Sequence, residues 1–302
     1  MPCYHPLKGF RSKSLTRSGK RLIVFDRKSG YVDMPVTLPC GQCIGCRLEH
    51  SRQWAIRCVH EAQMHEHNCF IPLTYADEYL PPGRTLVLDH FQRFMKRLRK
   101  QNGHSIRFYH CGEYGTHYGR PHYHACLFGH RFEDARLWKQ SRENPLYRSA
   151  DLEKLWPFGH SSIGDVTFQS AAYVARYIVK KITGEKAEQH YQFTDPDTGE
   201  IHQQRPEYTT MSRRPGIGKT WLDKYAQDVY PHDHIILNGK KLKPPKYYNG
   251  QYEIEYPSDF AKIKRRRKEA NKLHAEDQTP DRLKVRKKVK QAQLNQLKRN
   301  LE

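Results

Sequence analysis

The chain has 302 residues, 53 Lys and Arg against 32 Asp and Glu, and a formal charge of +21. Charge of that sign and size selects a polyanionic partner, and no apolar run approaches the roughly 20 residues that span a bilayer, so nucleic acid is favoured over a membrane. Eight cysteines behind Met1-Pro2-Cys3-Tyr4-His5, which lacks the charged-then-apolar layout of a secretory signal, argue against a disulfide scaffold.

Residues 1–65 read as a basic, turn-rich segment with a short strand at Leu22-Ile23-Val24-Phe25, then an amphipathic helix from Arg47 to about His65. Within it, Cys40-Gly41-Gln42-Cys43-Ile44-Gly45-Cys46 is a double CxxC with the spacing of a metal knuckle. Cys3 or His5 could complete a tetrahedral structural Zn²⁺ site; the alternative is a reduced, glycine-punctuated turn.

Residues 66–184 carry the periodicities of an α+β core. Cys69–Tyr75 reads as a strand whose Pro72 cannot donate a ladder hydrogen bond, which predicts an edge or a bulge. Asp89 is placed as the cap of a helix running to Lys100, with Phe91, Phe94, Met95 and Leu98 on one face. Strands are predicted at Ser105–His110, His122–Phe128 and Ser162–Phe168, with a glycine-rich turn at Cys111–Gly115 and a helix from Gln169 to about Ile182. That order describes an antiparallel sheet carrying helices on one face. Residues 185–260 read as a loop-rich extension. Residues 261–302 hold 15 Lys and Arg against 5 Asp and Glu, and read as a basic DNA-binding tail, helical or disordered when free.

The chemistry lies in two pairs of side chains. On a strand, side chains alternate faces, so His122 and His124 point one way and Tyr123, Ala125 and Leu127 the other. Two imidazoles in an apolar strand are costly without partners. Glu113, brought beside them by a hairpin, completes a set of two His and one carboxylate that leaves open positions on a divalent ion. The carboxylate suits Mg²⁺ or Mn²⁺, with Zn²⁺ as the alternative. On the last helix, i, i+4 spacing stacks Tyr173 and Tyr177 on one face with Lys180 close by. A phenol with a pKa near 10 is a poor nucleophile at neutral pH; a bound metal would polarise the non-bridging phosphate oxygen, and a nearby cation such as Lys180 would stabilise the phenolate.

Gly216-Ile217-Gly218-Lys219-Thr220 imitates a phosphate-binding loop, but Arg213 stands where that motif needs its first glycine. The third position after His122 and His124 is Cys126, which removes a histidine-triad reading.

Taken together, these parts resemble the HUH endonucleases, in the paired-tyrosine form of the replication initiators of gokushovirus-type microviruses, small single-stranded DNA phages. The resemblance runs over most of residues 1–220. Its carriers are Pro39-Cys40-Gly41-Gln42-Cys43-Ile44-Gly45-Cys46-Arg47, Trp54-Ala55-Ile56-Arg57-Cys58, Phe70-Ile71-Pro72-Leu73-Thr74-Tyr75, Gly112-Glu113-Tyr114-Gly115, the His122/His124 strand, Tyr173-Val174-Ala175-Arg176-Tyr177 and Met211-Ser212-Arg213-Arg214-Pro215-Gly216-Ile217-Gly218. Pro72 departs from it, standing where the family's first motif usually has a threonine. The resemblance implies an HUH, ferredoxin-like core and rolling-circle initiation on single-stranded or supercoiled origin DNA. Tyr173 and Tyr177 would act as alternating nucleophiles, giving a 5′-phosphotyrosine and a free 3′-OH before rejoining. His122 and His124, with Glu113 third, would hold Mg²⁺ or Mn²⁺. It also implies a host helicase and DNA polymerase as partners and the host bacterial cytoplasm as the place of action. The competing expectation is a non-catalytic single-stranded DNA-binding protein that uses the basic tail, a zinc knuckle and stacking tyrosines.

Overall fold

The structure is a computed structural model that describes residues 3–296 apart from 18, 116–118, 141–144, 178–180, 183 and 197, and the side chains of Tyr177 and Lys186 lie outside it as well. The chain forms two compact units, Met1–His50 with Ala261–Glu302, and Ser51–Phe260.

In the first unit, β1 (Leu7–Leu15) pairs antiparallel with β2 (Arg21–Val24) on one side and β3 (Gly30–Leu38) on the other. Only β2 has an apolar signature in the sequence. β1 and β3 are mostly exposed, so their residues carry no inward-facing alternation to read. Helix α1 (Ile44–Ala62) starts in this unit at the cysteine knuckle. The basic C-terminal segment is helical: α7 (Pro257–Lys272) leads into α8 (Pro280–Asn295).

The second unit is built on a five-stranded sheet with every neighbouring pair antiparallel. Its strands are β4 (Asn68–Tyr75), β5 (Arg107–Tyr114), β6 (Pro121–Phe128), β7 (Gly159–Ser161) and β8 (Tyr208–Met211), in the order β8-β5-β6-β4-β7. The edge strand β8 comes from the segment that reads as loops, being only four residues long. β5 extends through the predicted Cys111–Gly115 turn as far as Tyr114, which puts Glu113 in the ladder.

Strand β4 shows the predicted alternation, with Cys69, Ile71, Leu73 and Tyr75 fully buried. It is not an edge: β6 and β7 flank it. Pro72 is accommodated because its missing donor faces away from β6. Phe70, of the same parity, exchanges both backbone hydrogen bonds with Gly164 on that outer side, and the Pro72 carbonyl accepts from Ser162 N–H there at 3.4 Å.

Helices cover both faces of this sheet rather than the single face expected. On one, Tyr123, Ala125 and Leu127 meet Phe91, Phe94, Met95 and Leu98 of α2 (Leu88–Asn102), together with Leu152 and Leu155 of α3 (Ala150–Leu155) and the buried Trp156. Asp89 does not cap α2: Val87 holds the cap position without a side-chain bond, and Asp89 in the first turn pairs with Arg93 at 2.6 Å. Gly103, at φ 66°, ends the helix in a left-handed cap.

On the opposite face, Tyr109, Cys111, Cys126 and Phe128 pack against Ala55 and Cys58 of α1, and against Ala171, Val174 and Ala175 of α4 (Phe168–Tyr177). Ile217 joins this core. The glycines around it, just before α5 (Lys219–Val229), allow close contact with aromatic rings of α6 (Lys246–Glu255): a Cβ on Gly216 would stand 2.4 Å from the Tyr247 hydroxyl, and one on Gly218 2.4 Å from that of Tyr248. The Gly-Ile-Gly sequence that imitates a phosphate loop is thus a packing device. Buried Glu61 pins the same turn, accepting from Gly218 N–H at 2.6 Å and pairing with Arg107, whose other nitrogen reaches the Pro215 carbonyl at 2.8 Å.

Candidate active site and metal centres

The register of β5 against β6 sets Glu113 directly opposite His122, and Cys111 opposite His124. All four residues therefore stand on the face covered by α4. The hairpin closes through Gly115 N–H to the Arg120 carbonyl at 2.9 Å. Glu113 Oε1 lies 3.0 Å from His122 Nε2 and 2.8 Å from His124 Nε2. Glu113 and His124 are buried, while His122 keeps 17% of its side chain exposed, so the cluster opens to solvent at His122.

The donor atoms fit a divalent cation. His122 Nδ1 lies 3.0 Å from the Arg120 carbonyl oxygen, which can only accept, so Nδ1 carries the proton. In the neutral ring, Nε2 then turns a lone pair towards the Glu113 carboxylate. That arrangement calls for a positive charge between them, either a metal cation or a second ring proton. Holding one imidazole nitrogen by a backbone carbonyl so that the other faces the metal is the usual way a ligand histidine is oriented. Glu113, His122 and His124 each offer a ligand atom, and these atoms lie within 4.8 Å of one another.

His110, on the same strand as Glu113, belongs to the other face. It stacks on Phe91 at 3.5 Å and bonds Thr210 Oγ1 at 2.9 Å, and burial, helped by His124, drives its pKa well below that of an ordinary imidazole. It is a neutral core histidine.

Helix α4 is capped by Thr167, whose Oγ1 accepts from Ser170 N–H at 3.1 Å, while Ser170 Oγ accepts from Thr167 N–H at 2.8 Å. Small residues on its inner face, Ala171 and Ala175, bring it down onto β5 and β6. Ser51 Oγ donates to the Ala172 carbonyl at 2.8 Å and fixes it from the side of α1. Half-buried Tyr173 lands edge-on over His124, with ring centroids 4.9 Å apart at 86°. The structure thus brings Tyr173 to the His–Glu cluster. Tyr177 ends the described part of α4, one turn further on; its side chain and Lys180 lie outside the described residues.

Two neighbours escape a reading of the sequence. Phe70 stacks parallel to His124 at 5.7 Å, and Arg120 orients His122 through its carbonyl. Arg120 itself is held by the Tyr75 carbonyl at 2.8 Å and by Asp77. Neither role has a sequence signal, because both depend on the registers of β4 and β5 against β6.

The second group of ligand atoms is the thiols of Cys3, Cys40, Cys43 and Cys46, also within 4.8 Å of one another. Cys3 joins the knuckle; His5 does not, being exposed and bonded to Lys287 at 2.9 Å. Burial opposes ionisation of Cys43, but hydrogen bonds from the Tyr4 and Cys46 amides and from neighbouring thiols outweigh it and bring the thiol down to about 6. Burial pushes Cys46 up, and its thiol neighbours add to that.

Comparison with known proteins follows the same residues. A family model described as "Replication-associated protein ORF2/G2P" matches residues 68–182, the span that contains β4 to α4. The chain is 32% identical over 297 residues to the "Replication-associated protein VP4" of Bdellovibrio phage phiMH2K, covering 93% of this chain and 88% of that protein. It is 31% identical over 280 residues to the "Replication-associated protein ORF2" of Spiroplasma virus 4, covering 86% and 83%. With the "Replication-associated protein ORF4" of Chlamydia phage 1 the identity is 31% over 221 residues, covering 70% and 52%. No solved structure matches the chain.

Proposed function

The chain belongs to the family of phage replication-associated proteins, as a replication initiator of the gokushovirus type, and from that premise we propose that it starts rolling-circle replication by nicking origin DNA through a tyrosine. The observation that carries this reading is the contact of Tyr173 with His124, which sets a phenol beside two imidazoles and a carboxylate on one face of a sheet.

Glu113, His122 and His124 would hold Mg²⁺ or Mn²⁺. Such an ion, when bound, supplies Lewis-acid polarisation of a non-bridging phosphate oxygen. The Tyr173 oxygen attacks the phosphorus of a phosphodiester, the bond to the 3′ oxygen breaks, and the 5′ phosphate stays on the tyrosine. The phenolic proton passes to solvent and the departing 3′ oxygen takes one up. One phosphoester replaces another, so the 5′ end keeps the energy needed for rejoining. Tyr177, one helical turn on, is the second nucleophile in this reading, and Lys180 the cation that favours a phenolate.

The substrate is single-stranded or unwound phage origin DNA in the host bacterium, with a host helicase and polymerase extending the 3′-OH. Affinity for phosphate comes from the 53 Lys and Arg and above all from residues 261–302. Among the described residues no helix is long and apolar enough to cross a membrane.

The test is a denaturing gel of protein incubated with single-stranded origin DNA and Mn²⁺, with Tyr173→Phe, Tyr177→Phe and the double variant alongside. A boiling-resistant protein–DNA band that disappears in the double variant and on chelation is expected. Retention of the same DNA on a native gel with no covalent band would instead favour a binding protein.

A further inference from the structure

The cysteine cluster of the first unit plays no part in that chemistry, and its surroundings say what it does. Four sulfurs held at about 2.3 Å from a tetrahedral zinc stand about 3.8 Å apart. Here Cys40 Sγ and Cys46 Sγ are 4.0 Å apart, and all four sulfurs fall within 4.8 Å. Backbone amides already point at three of them: Tyr4 N–H to Cys43, Cys40 N–H to Cys3 and Cys43 N–H to Cys40, each at 3.3 Å. Amides donating to sulfur stabilise thiolates, the form that binds metal. Gly41, at φ 75°, makes the tight turn between Cys40 and Cys43, and Cys43 and Cys46 meet the first turn of α1, where the helix dipole favours negative charge. No cysteine is in a disulfide.

The second observation is what covers the cluster. Leu283 of α8, 4% exposed, packs on Cys3, Tyr4 and Cys43, with Cys40, Ile44 and Cys46 around it. It is the one buried residue of a helix whose Val285 and Val289 are about half exposed. One turn along, Lys287 reaches His5 at 2.9 Å, and Arg286 lies close enough to Tyr4 to influence its hydroxyl.

We propose that Cys3, Cys40, Cys43 and Cys46 bind one structural Zn²⁺, and that this zinc docks the basic helix Pro280–Asn295 onto the N-terminal sheet. Binding converts four thiols to thiolates, their protons going to solvent. Four thiolates around Zn²⁺ leave a net charge of −2, which attracts Arg286 and Lys287 while Leu283 seals the apolar side. The ion ties residues 3 and 40–46 into the floor on which Leu283 sits. Without it, a helix with six Lys and Arg against one Asp has Leu283 as the one buried side chain that holds it. Zinc occupancy thereby decides whether those six cations stand as a fixed phosphate-binding face or as a loose tail.

The inference concerns this unit alone and holds whether or not the protein nicks DNA. The experiment uses the full chain purified without chelator. Metal release by a mercurial should give about one zinc per chain, abolished in Cys40→Ser/Cys43→Ser and unchanged in Glu113→Gln. Removing zinc from the wild type should speed tryptic cleavage within residues 282–290 by roughly tenfold, and returning it should restore protection. Leu283→Ala should keep its zinc and be cleaved as fast as the zinc-free protein. Zinc below about a tenth of an ion per chain in reduced protein overturns the site. Cleavage that ignores zinc overturns the docking.

Discussion

The His–Glu cluster of the sheet and the cysteine cluster of the N-terminal unit are both tight groups of ligand atoms, each within 4.8 Å, yet they are built on opposite plans. The first stands on two neighbouring strands whose register is set by the packing of an entire sheet. It presents nitrogen and oxygen, faces solvent through His122, and has a tyrosine at its edge. The second gathers sulfur from two turns 37 positions apart, aims backbone amides at its ligands and is closed over by Leu283. Three ligands on a rigid floor leave room for a substrate oxygen; four soft ligands under an apolar lid leave none. Proximity of ligand atoms alone therefore says little: donor type, access and the neighbouring reactive group separate a site suited to chemistry from one suited to holding a fold.

The sharpest way to break this contrast is His122→Ala with His124→Ala. Loss of two of three ligands should lower nicking by at least about a thousandfold, while native-gel retention of DNA stays near wild type. An active double variant would sink the metal assignment. Next in size, Tyr173→Phe should reduce the first covalent adduct by roughly a hundredfold or more, since a phenyl ring keeps the packing on His124 but has no nucleophile. If only Tyr177→Phe does so, the order of the two tyrosines is reversed.

Chelation should sort the two clusters. Millimolar EDTA, briefly applied, should stop nicking and be reversed by Mn²⁺, while the zinc content of the protein remains; equal loss of both metals would put the clusters in one class. Smallest of all, Leu283→Ala should destabilise the docked helix by about 2 kcal/mol, read by hydrogen exchange of residues 280–295. At low salt it should leave nicking within about twofold, because the sheet is untouched.

The parts of this protein that were legible beforehand are those with a local signature. The alternation of β4 and β6, the apolar face of α2 and the spacing of the double CxxC each follow from rules that operate over fewer than about fifteen residues. What escaped has no such rule. β1 and β3 are exposed and polar, so no period marks them. β8 is four residues of Tyr, Thr and Met that become a strand only because the β5 edge is there to receive them. Pro72 reads as an edge signal, and only the pairing of Phe70 with Gly164 reveals that its missing donor points outward from an inner strand. Asp89 looks like a cap and is instead a first-turn acid paired with Arg93.

The candidate site divides the same way. That His122 and His124 share a face was set by the two-residue period of a strand, and that Tyr173 and Tyr177 stand one turn apart by the 3.6-residue period of a helix. The expectation of a polyanionic partner was read from charge. Which face of the sheet α4 covers, and hence whether Tyr173 meets the histidines, was decided by the burial of Ala171, Val174 and Ala175 against Tyr109, Cys111 and Cys126. The choice of Cys3 over His5 was likewise made by the turn of Tyr4 towards Cys43. Periodicity is a property of the chain and can be read along it; juxtaposition depends on which apolar surfaces bury one another, and that exists only once the molecule has folded.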